Sequence, residues 1–394
     1  MHTARIASSN SIAMPTNSKI PRTQPAGTLP VAKRGVFVSH VSTAIRAKRW
    51  HDAAMWSVLV FVSVVAFAAV AFAMVQQGTE YTFASSVRAT RKVSTVAAPT
   101  TVRRPLDGVM VPVDTPAIGY FAVMIDNMID ALPQSGVAKA PLVIEAPVEG
   151  GITRLLAVYP SDAVVAKIGP VRSARPYYIE WAAEFDALYV HSGGSPEALT
   201  RLKTVDSPHD FNEFFNGEAF WRESSRIAPH NLYTSSTLLA KALGTVPRRG
   251  LSPLSVWRFK DDALLQDRPE GVVRLTLGEE GKWKVFWLYD QKTNAWTRIM
   301  HGSAQSDLGG DTVTAKNVAV QITKVVVLDE IGRRRVDTTS GGDAFLAIDG
   351  HVLSGTWKKQ NGRTRFYDAA GNELSFNAGT TWIEVISADT PVKY

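Results

Sequence analysis

The stretch ALYVHSGGSPEALTRL, Ala187 to Leu202, decides the fold class. Ala187 to Val190 form a short apolar run of the kind that becomes a buried strand. Two glycines follow, and then a helix start: Ser195 as N-cap, Pro196 at the first helical position, and Glu197 beside the positive end of the helix dipole. Strand, glycine loop and helix in immediate succession are the unit of an α/β layout.

Working outward, Tyr120 to Ile125, Leu142 to Ile144 and Leu155 to Tyr159 read as further strands, and Pro176 opens a helix that continues to Phe185. Beyond about residue 250 the texture becomes β. Val272 to Leu277, Lys282 to Tyr289, Trp296 to Met300, Val318 to Leu328, Ala344 to Ile348, Leu353 to Lys358, Arg365 to Tyr367 and Thr381 to Val385 are short strands, with Asp349-Gly350 and Ala370-Gly371-Asn372 as turns. The fold class expected is α/β passing into α+β: an N-terminal α/β domain over 105–248, then a β-rich C-terminal domain over 249–394.

Upstream lies AAMWSVLVFVSVVAFAAVAFAMV, Ala53 to Val75, without one charged residue. A helix of that length at about 1.5 Å per residue crosses a ~30 Å hydrocarbon core, so one transmembrane helix is expected over 53–75. Arg46, Lys48, Arg49 and His51 precede it, against Gln76, Gln77, Gly78, Thr79 and Glu80 after it, which keeps the N-terminus cytoplasmic and exports the folded part. Ala71-Phe72-Ala73 has the small-x-small form of a signal-peptidase site, an alternative that exports the same domain. Residues 1–52, rich in Ser, Thr and Pro, read as a disordered basic tail, and 76–104 as a flexible linker.

The formal charge of +7 invites a nucleic-acid reading. Residues 1–52 hold eight of the chain's 43 cations and one of its 36 anions, which leaves the remainder with equal numbers of each. The excess is topogenic, and nucleic acid is not expected as a partner. With no cysteine in 394 residues, a disulfide framework and thiolate metal sites are both excluded.

Residues with no packing role concentrate in Ile125 to Asn127, Leu132 to Gly136, EAPVEGGITR (Glu145 to Arg154), IGPVRSARP (Ile168 to Pro176), YVHSGGSP (Tyr189 to Pro196) and APHNLY (Ala228 to Tyr233). With AKNVAVQ (Ala315 to Gln321), GTWKK (Gly355 to Lys359), TRFYDAAGNEL (Thr364 to Leu374) and GTTWIEV (Gly379 to Val385), these motifs resemble, in order, the YerB family of bacterial exported proteins. The resemblance runs from about residue 105 to 388 and implies two domains of unknown function, the DUF3048 N- and C-terminal domains. Many members of that family are lipoproteins held through a cysteine. This chain has none and offers a helix instead.

Three chemistries suggest themselves. Arg154, Arg172 and Arg175, with Ser173 between the last two and the loop Gly193-Gly194-Ser195 before a helix, suit a phosphate or carboxylate, since guanidinium groups and helix N-termini both bind anions. His191, His230 and Asn231 would stand around that cleft. The structural alternative is that Arg172 pairs internally with Glu145 or Glu149. Those two glutamates are the second candidate, as catalytic acid and base, although in an extended strand they stand about 13 Å apart, too far for paired-carboxylate hydrolysis. Nucleophilic catalysis around His191, the third, lacks an identifiable orienting carboxylate and any G-x-S-x-G elbow. The histidine spacing supports no metal site, and no cofactor is expected.

IGPVRSAR also resembles the arginine motif of the LytR-CpsA-Psr transferases, which would imply phosphoryl transfer to envelope polymers needing a metal and an acidic residue such as Asp126. The leading expectation is an exported binding module for an anionic envelope component or a protein at the outer membrane face, with membrane lipid around its single helix. An enzyme on envelope glycans or lipid-linked phosphates, and a scaffold, are the alternatives. Trp257, Trp283, Trp287, Trp296, Trp357 and Trp382 suit either a sugar-stacking face or a core.

Overall fold

The computed structural model describes residues 55–70, 100–115, 118–204, 209–245, 257–279 and 283–394. The chain divides into two compact units, 1–94 and 95–394. In the first, residues 55–70 form a helix whose Val, Leu, Phe and Trp side chains are exposed. Ser63 donates its hydroxyl to Leu59 O at 2.8 Å, so the one hydroxyl near mid-helix is satisfied internally. Among the described residues no helix is long and apolar enough to cross a membrane. The tail 1–52, the two ends of the 53–75 segment and most of the linker 76–104 lie outside the described residues.

The second unit is strand-dominated with few helices, built on one ten-stranded sheet. Its order is Arg363–Asp368, His351–Gln360, Gly342–Ile348, Asn317–Thr323, Thr381–Ser387, Leu142–Pro147, Thr153–Pro160, Tyr120–Asp126, Leu188–His191, His209–Asn212. All seven residues of Tyr120–Asp126 are buried. An unbroken apolar run of this kind belongs to a strand covered on both faces.

On one face Val123, Ile125, Leu155, Ala157, Val320 and Trp382 pack against a second, smaller antiparallel sheet centred on Lys284–Asp290 and Ala295–Met300, and against Leu239 of the helix Ser236–Leu243. On the other, Met124, Ile144, Leu156, Val158, Ile383 and Val385 meet the helix Pro176–Ala183 through Tyr177, Tyr178 and Trp181.

The segments 105–248 and 249–394 share this sheet. Thr381–Ser387 lies parallel to Leu142–Pro147, with Glu384 opposite Glu145. Asp307 adds a second tie, accepting from Val137 N and Ala138 N at 3.1 Å each.

Most of the expected strands are present, with three differences. The run from Val318 to Leu328 is broken at Lys324, where the buried strand ends and a hairpin begins, Val325–Val327 pairing with Arg334–Val336. His209–Asn212 and the helix Ser236–Leu243 went unread, being too short or too weakly patterned to stand out. Trp257, Trp287, Trp296, Trp357 and Trp382 are all core residues, so they form no sugar-stacking face.

Candidate functional site

Six strands, Tyr120–Asp126, Leu142–Pro147, Leu188–His191, His209–Asn212, Asn317–Thr323 and Thr381–Ser387, run in the same direction. Their carboxyl ends share one edge, the edge at which open α/β sheets take ligands. The IGPVRSAR segment is laid between two of those ends. Arg172 N donates to Met124 O at 2.9 Å and Ser192 N to Arg172 O at 3.1 Å, so the segment wedges the tips of Tyr120–Asp126 and Leu188–His191 apart. Arg172 is delivered to the middle of the edge by backbone pairing.

At the centre stands Asp126, fully buried. Its Oδ2 lies 2.9 Å from Arg172 Nε and 2.7 Å from His230 Nδ1, and its Oδ1 accepts from Met128 N at 3.1 Å. One carboxylate thereby fixes both a guanidinium and an imidazole. Burial lowers the Arg172 pKa, Asp126 raises it, and the nearby Arg154 lowers it again. Among the described residues, Arg172 Nη1 and Nη2 and His230 Nε2 have no hydrogen-bond partner, while the two side chains remain 21% and 14% exposed.

A second cluster lies on the helical face. Arg175 grips Glu149 through Nε at 3.0 Å and through Nη2, and gives Nη1 to Ala174 O at 2.7 Å. Arg154 donates to Ser173 O at 2.8 Å and lies 3.6 Å from Glu149. Three arginines share two carboxylates across the two clusters, so the local balance is positive and suits an anion. Beside them, Arg222 spans Glu213 at 3.2 Å and Asn231 at 3.1 Å, and Ser192 donates to Glu213 at 3.0 Å.

The structure therefore brings together Arg154, Arg172, Ser173, Arg175, Glu149, His230 and Asn231. Other candidates stand apart. The partner of Arg172 is Asp126, and neither Glu145 nor Glu149. Glu145 and Glu149 do not share a face, because the strand ends at Pro147 and Glu149, at the start of the turn that follows, lies against Arg175. Glu145 points instead between the two sheets, against Arg298. That separation removes them as an acid–base pair.

The glycine loop also spends its own groups. Gly193 N donates to Asn212 at 3.0 Å, Ser195 N to Ala174 O at 3.3 Å, and Ser195 Oγ caps Ala198 N at 3.3 Å. A Cβ on Gly194 would lie 3.2 Å from Ala174 Cβ, so this glycine admits a neighbouring chain. His191 is buried with Nδ1 on Gly193 O and Nε2 on Asp210, both at 2.7 Å, leaving neither nitrogen for a substrate.

Orienting carboxylates thus exist for both histidines, Asp210 for His191 and Asp126 for His230. Sequence spacing gave no signal of the second, 104 positions away. Glu213, Arg222 and Arg226 were missed as well. Among the described residues no group of three or more His, Asp or Glu side chains is arranged to hold a metal ion.

Residues 108–249 match the N-terminal domain, and 273–383 the C-terminal domain, of the DUF3048 proteins of unknown function. The chain is 34% identical over 270 residues to the predicted lipoprotein YerB of Bacillus subtilis (strain 168), covering 67% of this chain and 80% of that one. The crystal structure of Bacillus subtilis YerB superposes with a TM-score of 0.65 at 30% identity, over 74% of this chain and all of the other.

Proposed function

This chain belongs to the YerB family, with its DUF3048 N- and C-terminal domains, and from that premise we propose that it is an exported, membrane-anchored protein that binds an anionic group of the cell envelope at Arg172 and His230. The observation that carries the reading is the free edge of Arg172 beside His230 Nε2, both aimed by one buried carboxylate. A guanidinium with both Nη groups unspent offers two parallel hydrogen bonds to a phosphate or carboxylate. Arg154, buried and with Nη1 on Ser173 O, adds positive potential from behind the site.

Glycerol phosphate is the probe we would titrate against residues 95–394. Arg172→Gln weakens its binding by about 10- to 100-fold, and Arg172→Lys fails to restore it, because a point charge lacks the planar fork. Equal affinity in the Arg172→Gln protein, with the fold intact by circular dichroism, rules the site out.

The anchor in this reading is the uncharged segment 53–75, of which residues 55–70 are helical with apolar side chains outward. The lipoprotein assignment of its relative supports the side of the membrane, and the absence of cysteine requires a different attachment. Full-length chain expressed in bacteria stays in the membrane pellet after alkaline carbonate washing, and a chain with 53–75 replaced by a cleavable signal peptide does not. Release of the intact chain by carbonate argues against the anchor.

A second reading draws on a separate feature of the same residues. A buried carboxylate behind the Nδ1 of a histidine whose Nε2 faces solvent is the arrangement of a general base. Turnover of a lipid-linked phosphate would then accompany binding.

A further inference from the structure

The carboxyl-end edge of the sheet is crowned with bulky apolar tips. Ile129, Phe214, Phe215 and Ile227 are 61%, 69%, 82% and 86% exposed, and Ile331, at the turn of the Val325–Val336 hairpin, is 69% exposed. Scattered exposed hydrophobic residues need no explanation, but these are neither scattered nor loosely held. Ile129 is three positions from Asp126 and Ile227 three from His230, and the Phe214 ring lies against Gly193.

Cross-bonds fix the loops to one another. Arg226 donates to Ala131 O and Pro133 O at 2.7 Å each, tying the Ile227 loop to the Ile129 loop. Arg222 bridges Glu213, next to Phe214, and Asn231, next to His230. The hairpin from the C-terminal half reaches the same edge, where Arg334 Nε approaches Val148 O at 3.4 Å, and it brings the run Arg333-Arg334-Arg335 with it. Apolar tips thus stand on the loops that carry the Asp126–Arg172–His230 cluster, with Arg334 and Arg335 on the hairpin beside them and Arg333 paired to Asp329.

We propose that the Arg172–His230 site takes the phosphate head of an anionic lipid still in the bilayer, and that Ile129, Phe214, Phe215 and Ile227 are the lip that rests in the membrane around it. The proposal rests on the anion-binding reading of the site and names its ligand class. Apolar side chains that enter the interface and basic side chains that meet anionic headgroups contribute together, and neither suffices alone. A soluble ligand would leave the tips without a role. A bilayer covers all of them in one encounter, and an anchored chain never leaves its surface.

The test uses residues 95–394, one compact unit with its own cores, so that the 53–75 segment cannot carry the protein to lipid by itself. Vesicles of phosphatidylcholine, with and without phosphatidylglycerol, are sedimented with the protein, and glycerol phosphate is titrated separately. The parent protein pellets with phosphatidylglycerol vesicles and far less with phosphatidylcholine alone. Changing Phe214, Phe215 and Ile227 together to Ser lowers vesicle binding by about tenfold or more while glycerol phosphate binding is unchanged, because the tips are exposed and the centre is untouched. A parent protein that stays in the supernatant with both vesicles overturns the proposal, as does a triple variant that pellets like the parent. Failure of the parent to bind glycerol phosphate would instead sink the anion reading beneath it.

Discussion

Replacing Arg298 by Met is expected to lower the stability of residues 95–394 by about 3–5 kcal/mol, the usual consequence of removing one partner from a buried ion pair. Arg298 is fully buried between the two sheets. Its Nη2 lies 2.6 Å from Glu145 Oε2, its Nε 3.8 Å from Glu384 Oε1, and its guanidinium stands 4.9 Å above the Trp382 ring. Glu145 also receives Trp283 Nε1 and Asn127 Nδ2 at 3.1 Å each and Thr153 Oγ1 at 2.5 Å, and Glu384 receives Trp287 Nε1 at 2.9 Å.

Two carboxyl groups therefore face one cation in a dry interior. Burial above all, and then the charge of Glu145, push the Glu384 carboxyl well above the ordinary range, which favours its protonated form. A raised carboxyl stabilises the fold fully below the unfolded glutamate value of about 4.3, and that contribution is lost as pH climbs through the native value.

Glu384→Gln, which mimics the protonated form, should consequently cost little in acid and gain on the parent as pH rises. Urea unfolding measures all of this. Arg298→Met within about 1 kcal/mol of the parent would show that the pair contributes little, and adding Glu145→Gln to Arg298→Met should recover much of the loss, since neutral replacements of buried pairs are often tolerated.

The second large effect is expected at Asp126. Removing its carboxylate by Asp126→Ala strands the His230 Nδ1 and the Met128 N–H and deprives the Arg172 guanidinium of its counter-charge, at a cost of about 2–4 kcal/mol. Arg172 and His230 lose their common alignment, and glycerol phosphate affinity falls with it. An Asp126→Ala protein with unchanged melting temperature and affinity would mean that the triad is incidental.

The same residue separates binding from catalysis. Given a prenyl-pyrophosphate lipid and Mg²⁺, an enzyme releases phosphate, and both His230→Gln and Asp126→Asn reduce the rate by about 100-fold or more, as loss of a general base does. No release by the parent protein eliminates turnover and leaves binding in place.

How much of this was legible in the chain differs from element to element. Ser195 caps its helix as its identity dictates, and Pro176 opens another. Both signals are local, carried by one or two side chains and their own backbone. The arginines Arg172 and Arg175 announced a charged region, yet their carboxylate partners lie far away in sequence and could not be chosen correctly. Glu145 and Glu149 are four positions apart and belong to different environments, because the strand ends at Pro147 and Glu149 opens the turn that follows. Arg298 gave no warning of its importance, since a lone arginine in an alternating strand reads as a solvent-facing residue.

By itself the sequence determined most of the strands, the helix starts at Ser195 and Pro176, the uncharged segment 53–75, the neutral charge balance beyond residue 52 and the family, because each depends on short-range pattern or on composition. Only the tertiary structure decided that both halves share one sheet, that Asp126 lies against both Arg172 and His230, that the Gly193–Ser195 loop is committed to its neighbours, and that Ile129, Phe214, Phe215 and Ile227 are left exposed. Those are pairings between segments up to hundreds of residues apart. They follow from which strands lie side by side, a choice made by burial over the whole core and not by any local run of residues.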